Sequence, residues 1–223
     1  MGASPIRTIL LDVDGTLVDT NYLHALAWQR AFRDAAGIEL PAARLHRAVG
    51  MGGDKYVAHV GGDEAEDEHG DAIRDVHGDR YMALIDEVRP LPGARELIVA
   101  LKERELTVVL SSSGKSEELD RYLDLLDARE LLDGWTTSAA VEETKPAPEL
   151  LEVALERAGG AVASSLLIGD SVWDCRAAER IELPVIGLLS GGFCAAELRA
   201  AGARAVYEDA AELARRLDEA LAA

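Results

Sequence analysis

The chain has 223 residues, 48% of them hydrophobic, enough to bury the core of one large domain or of one domain carrying an insertion. Its formal net charge of −18 and pI near 4.6 oppose any general affinity for nucleic acid or anionic membrane, both of which attract basic surfaces. No stretch approaches the roughly 20 apolar residues that span a bilayer, and Met1-Gly2-Ala3-Ser4-Pro5 leads into a strand, so a cytoplasmic protein is expected, monomeric or weakly dimeric. The cysteines, Cys175 and Cys194, lack metal-like spacing, and reduced, buried thiols are expected.

The first predicted strand runs from Ile6 to Asp12 and ends in Asp12-Val13-Asp14-Gly15-Thr16, two carboxylates one residue apart at a glycine turn. Asn21 to Ala36 then carries Leu23, Leu26, Ala27, Phe32 and Ala35 at helical intervals and stops at Gly37. Pro41 opens a second helix, and Gly50-Met51-Gly52-Gly53 leads into a short one through Val60. Glu64 to Val88 reads as one acidic helix. Residues 18–89 thus form an all-helical insertion, a candidate cap domain, and Arg89-Pro90-Leu91-Pro92-Gly93 is its stiff return linker.

Strand and helix alternate from there on. Helices are expected at 94–104, 116–126, 147–158, 172–180, 195–201 and from Ala210, and strands at 106–110, 135–138, 165–168, 185–189 and 205–207. The fold class is therefore α/β, a Rossmann-like parallel sheet with helices on both faces, built from residues 1–17 and 90–223.

In such sheets ligands bind beyond the carboxyl ends of the strands, and polar groups follow four of these strands. After the first come Asp12 and Asp14, which repel each other unless a cation such as Mg2+ intervenes. After the second come Ser111-Ser112-Ser113-Gly114-Lys115, hydroxyls and free N–H groups at a helix start that suit a phosphate. Lys145 stands in Thr144-Lys145-Pro146 on a loop before the next helix, and Gly169-Asp170 closes another strand with Asp174 one helical turn on, directed at the same cleft and within reach of a metal-bound water. Each stretch alone also reads as ordinary structure, namely a turn, a helix cap, a surface lysine and a second cap. Their joint order is what points to one cleft.

With those residues in view, the chain resembles the haloacid dehalogenase superfamily, with Asp12-Val13-Asp14-Gly15-Thr16 as its first motif, Ser112 as its second, Lys145 as its third and Gly169-Asp170-Ser171-Val172-Trp173-Asp174 as its fourth. The early helical insertion is similar to the small cap of the phosphoglycolate phosphatase and β-phosphoglucomutase branch. The resemblance implies that Asp12 is a nucleophile forming an aspartyl phosphate and Asp14 a general acid and base. It implies that Mg2+ is held by Asp12, the Asp14 carbonyl and Asp170, with Asp174 in support, and that Ser112, Ser113 and Lys145 hold phosphoryl oxygens. The expected substrate is a small phosphorylated metabolite, a sugar phosphate or a phosphoglycolate-like ester.

Dehalogenases of this superfamily lack an acid at the position of Asp14, which argues for phosphorus chemistry. A phosphomutase is the nearer alternative, because His24 and Trp28 follow Asp19-Thr20 as in β-phosphoglucomutases, with His24 a candidate cap contribution able to hydrogen-bond Asp14. Against it, Gly53 stands where that pattern has an arginine, leaving Lys55 as a candidate grip. A non-catalytic binding protein on the same scaffold is the remaining alternative.

Overall fold

The computed structural model describes residues 5–222, so the lead-in over Met1–Ser4 and the last residue, Ala223, lie outside the described part. Its strands are β1 (Thr8–Leu11), β2 (Thr107–Ser111), β3 (Gly134–Thr136), β4 (Ser165–Gly169), β5 (Val185–Leu188) and β6 (Ala205–Tyr207). Four helices fall between β1 and the return to the sheet: α1 (Asn21–Ala36), α2 (Ala42–His46), α3 (Gly53–Gly61) and α4 (Asp63–Met82). The others are α5 (Ala94–Lys102), α6 (Ser116–Leu126), α7 (Glu149–Ala158), α8 (Val172–Glu179), α9 (Ala195–Ala200), α10 (Ala210–Arg215) and α11 (Leu217–Ala222).

All six strands pair in parallel, in the order β3-β2-β1-β4-β5-β6. The chain therefore winds outward from β1 to β3, returns beside β1 and winds outward again, which puts the topological switch point between β1 and β4. Alternate residues of a strand face opposite sides. Ile9 and Leu11 accordingly join Val108, Leu110, Leu166 and Ile168 under α5, α6, α10 and α11, while Leu10, Val109 and Leu167 pack against α7, α8 and α9. Both faces of β1 are covered, so its four residues are all buried and read as a continuous apolar run.

The helices α1–α4 bury their own cluster of Trp28, Phe32, Leu45, Tyr56, Val57, Val60 and Ile73. Each such side chain contributes about 1.5–3 kcal/mol on burial, so this layer has its own source of cohesion. Two crossing segments tie it to the sheet, with Asp19 N–H donating to Arg89 O and Leu91 N–H to Leu17 O, both at 2.9 Å.

Three expectations need correction. The helix expected to reach Val88 ends at Met82, followed by a 3-10 turn over Ile85–Glu87, because Val88 turns into the main core and its neighbour Arg89 must be extended to pair with Asp19 before Pro90. The last helix is broken at Arg216 into α10 and α11. Of the two free cysteines Cys175 is buried, but Cys194 is exposed, at the start of α9.

Candidate active site

The parallel register sets Leu11 beside Leu110 and Ile168, so the next residue, Asp12, emerges between Ser111 and Gly169 at the switch point. Asp12 N–H still donates to Ile168 O at 2.9 Å, which fixes its backbone before the chain turns. Val13 drops into the core, and Gly15 makes the turn at φ 77°. A Cβ there would collide with Asn21 and lie 2.5 Å from Asp170 Oδ2, so the turn requires glycine for conformation and for space.

Lys145, only 1% exposed, ion-pairs with Asp12 and, at 2.7 Å, with Asp174 Oδ1, and donates to Ser111 O at 3.2 Å. Burial works against its charge, but Asp12 and Asp174 outweigh that and hold the ammonium above its ordinary value. Asp170 accepts from Asn21 Nδ2 at 2.9 Å, and the Thr16 hydroxyl sits 3.1 Å from both Asp170 Oδ1 and Asp12 Oδ2. Asp12, Asp170 and Asp174 offer oxygens within 4.8 Å of one another. Three carboxylates against one ammonium leave an excess of negative charge. Burial therefore pushes the Asp12 carboxyl up to about 7, with Lys145 opposing and Asp174 and Asp14 adding to the rise. Asp170 is raised as well, by burial first and then by Asp12 and Asp174. A buried set of hard oxygen donors with uncompensated charge fits a small divalent cation.

Asp14 behaves differently. Burial would raise its carboxyl, but the hydrogen bond and charge of His24, the Thr20 hydroxyl and Lys145 outweigh it and leave the group below its ordinary value. Thr20 Oγ1 donates to Asp14 Oδ1 at 2.8 Å, and His24 Nε2 lies 3.4 Å from the same oxygen. The other nitrogen of His24 faces His77 Nε2 at 3.3 Å, and its ring stacks on Tyr81 with centroids 3.7 Å apart. Burial, with His24 and Lys115 nearby, holds His77 well below the usual imidazole range.

Asp12 and Asp14 open onto a cavity of about 430 Å3 between the sheet ends and the helical layer. That volume suits a small metabolite. Ser113 lines it, with a buried hydroxyl that has no protein partner. Ser112 does not; its hydroxyl accepts from Gly114 N–H and reaches Asp14 Oδ2 only at 3.5 Å. Lys145, Asp170 and Asp174 stand behind the cavity, buried. Asp174 in particular does not face the cleft as expected, because its oxygens are engaged by Lys145 and by the Ser171 N–H and hydroxyl. Lys55 pairs with Glu143 and does not line the cavity.

Other cavity or site residues were not singled out from the sequence. Asn21 and Thr16, which hold Asp170, and His77, which backs His24, depend on contacts between distant segments. Asp54, at the start of α3, accepts from Thr144 N–H at 3.2 Å, so the helical layer grips the loop that carries Lys145. Within α4, Glu66, Gly70 and Arg74 recur at four-residue intervals, a local signal that could have been read.

Residues 6–182 match the sequence pattern of a family described as haloacid dehalogenase-like hydrolase. The chain belongs to the haloacid dehalogenase-like hydrolases. It is 31% identical over 187 residues to a phosphoglycolate phosphatase of Nitrosospira multiformis, covering 78% of this chain and 79% of that protein. It is 29% identical over 219 residues to the protein CbbY of Cereibacter sphaeroides, covering 93% and 94%. A solved hydrolase from Pseudomonas syringae superposes with a TM-score of 0.89 at 34% identity, over 96% of this chain and 98% of that one. This haloacid dehalogenase-like hydrolase falls in the phosphoglycolate phosphatase and β-phosphoglucomutase branch, and its relatives support a phosphatase. No helix among the described residues is long and apolar enough to cross a membrane.

Proposed function

We propose that the protein is a Mg2+-dependent phosphatase that hydrolyses a small phosphomonoester through an aspartyl phosphate on Asp12. The observation that carries this reading is the pairing of Asp12 with a second acid, Asp14, on one cavity wall, each in its own electrostatic setting. Residues 18–89 act as a cap over a core of residues 1–17 and 90–223. A location in the cytoplasm and a monomeric or weakly dimeric state fit the acidic composition.

Asp12, Asp170 and the Asp14 carbonyl would hold Mg2+, with Asp174 supporting Lys145. The ion would neutralise phosphoryl charge and favour ionised Asp12. An Asp12 oxygen attacks phosphorus in line as the ester P–O bond breaks, and Asp14 gives its proton to the departing alkoxide. An arriving phosphoryl dianion raises the proton affinity of Asp14, since like charge disfavours the carboxylate. Water then attacks phosphorus, its proton passes to Asp14, and cleavage of the P–O bond to Asp12 releases inorganic phosphate. Ser113, with Ser112 and Lys145 behind it, orients the phosphoryl oxygens and the nucleophile.

The contact of His24 with Asp14 favours a second reading, a phosphomutase in which His24 restrains Asp14 until the cap closes. The glycine at position 53 argues for hydrolysis instead. The test is phosphate release from p-nitrophenyl phosphate and a panel of metabolite esters, with EDTA and Asp12→Asn as controls. Mg2+-dependent turnover lost in Asp12→Asn is expected. No release from any ester would overturn the proposal.

A further inference from the structure

Helix α4 contains two interior glycines, Gly70 and Gly78, although glycine costs a helix about 1 kcal/mol relative to alanine at each such position. Gly70 lies midway between Glu66 and Arg74 on one helical stripe. A Cβ at Gly70 would lie 2.7 Å from Glu66 Oε1 and 2.8 Å from Arg74 Nη2. Residues eight apart are separated by about 12 Å along a helix, so a glutamate and an arginine at that spacing meet by leaning over the residue between them. Here they do, with Arg74 Nη1 at 2.8 Å from Glu66 Oε1 and 2.9 Å from Oε2. Arg74 Nη2 donates to Asp71 Oδ1 at 2.9 Å, and Nη1 reaches Gly53 O at 3.5 Å. Both Glu66 and Arg74 line the cavity, and so does Gly53, beside which the arginine stem runs at van der Waals range.

The charge of Arg74 is therefore cancelled where it meets the cavity. Asp54 and Glu142 line the same cavity and add negative charge, while on the core side Lys115, whose ammonium occupies the space beside Gly78, shares the lining with Asp12, Asp14 and Glu118. A guanidinium has five N–H donors and these contacts use three, so the pair keeps two N–H groups without a partner among these contacts as well as the remaining lone pairs of Glu66. A hydroxyl both donates and accepts, which matches that mixed fork. A carboxylate or second phosphate only accepts and would meet a wall without net positive charge.

We propose that the Glu66–Arg74 pair, closed over Gly70, selects phosphomonoesters of uncharged, polyhydroxylated alcohols and excludes those with a second anionic group. This rests on the phosphatase reading and deepens it by naming the leaving group. The experiment compares kcat/KM for an aldohexose 6-phosphate and for 2-phosphoglycolate in wild type, Glu66→Gln, Arg74→Gln and the double variant, with p-nitrophenyl phosphate as a common reference and circular dichroism to confirm folding. Wild type is expected to prefer the hexose ester. Glu66→Gln, which removes the carboxylate charge that meets the guanidinium at the cavity and leaves only the exposed Asp71 ion pair, should shift the ratio toward the carboxylate-bearing ester by about tenfold, and adding Arg74→Gln should cancel the shift. A wild-type preference for 2-phosphoglycolate, an unmoved ratio in Glu66→Gln, or a shift that survives the loss of Arg74 would overturn the assignment while p-nitrophenyl phosphate turnover leaves the phosphatase reading standing. Absence of turnover on all three esters would overturn both.

Discussion

Replacing Lys145 with methionine removes the one ammonium that faces the buried carboxylates of Asp12 and Asp174 while keeping the length of the stem. At 2.7 Å from Asp174 Oδ1, the attraction is about 6 kcal/mol at an effective dielectric of 20, before desolvation is subtracted. Deleting one partner of a buried pair typically costs about 3–5 kcal/mol, because the other charge stays buried and unpaired. We expect a loss of that size in the free energy of urea unfolding, measured by far-UV circular dichroism at pH 8 in EDTA. Asp174→Asn keeps one acceptor oxygen, enough for the Ser171 N–H and hydroxyl that share Oδ2, and removes the charge, so the double variant should lose about 2 kcal/mol less than the sum of the single losses.

The pH dependence has a definite sign. Asp12 titrates near 7 in the fold against an ordinary value of 3.8, so the folded state binds its proton more tightly than the unfolded chain does. Its burial penalty is therefore absent below about 3.8 and grows as pH rises toward the folded value. Without Lys145 the folded value moves higher still, and the deficit of the variant should shrink toward pH 4. A deficit under about 1 kcal/mol at pH 8, strict additivity with Asp174→Asn, or a deficit that widens in acid would refute the electrostatic account.

Further outcomes follow from the same geometry. Asp14→Asn should lower kcat on p-nitrophenyl phosphate by about 10^2–10^4 with little change in melting temperature, since a hydrogen-bonding side chain remains but proton transfer is lost. Gly15→Ala should cost about 1–3 kcal/mol in thermal unfolding, from its positive φ and the collision with Asn21, and should weaken activity by loosening Asp170. His77 is held neutral by burial and its folded value lies below 6.5, so the unfolded chain takes up a proton first and stability falls as pH drops below 6.5. A His77→Gln variant should show a shallower acid limb, the wild-type excess approaching 1.4 kcal/mol per pH unit; identical limbs would show that folding leaves the proton affinity of His77 unchanged.

Much of the site was legible because its signals are local. Apolar runs of strand length ending in Asp12, Ser111 and Gly169-Asp170 locate the carboxyl ends of strands, and helical periodicity plus proline and glycine punctuation separates residues 18–89 from the alternating remainder. The glycine after Asp14 likewise reports a turn that only a positive φ can make. Those properties depend on a few neighbouring residues and survive without knowledge of the fold.

Packing decided the rest. Lys145 and Asp12 are 133 residues apart, and Asn21 and Asp170 are 149 apart, so their pairing exists only once the parallel sheet brings β1 beside β4 and the helical layer lies across both. The sequence by itself determined which residue types stand at the strand ends. Only the tertiary structure decided that Lys145 turns inward to Asp12 and Asp174, that Asp174 is withheld from the cavity, and that α4 stops at Met82 so that Val88 can enter the core. The physical reason is that charge pairing and burial are properties of the low-dielectric interior, which no segment creates alone.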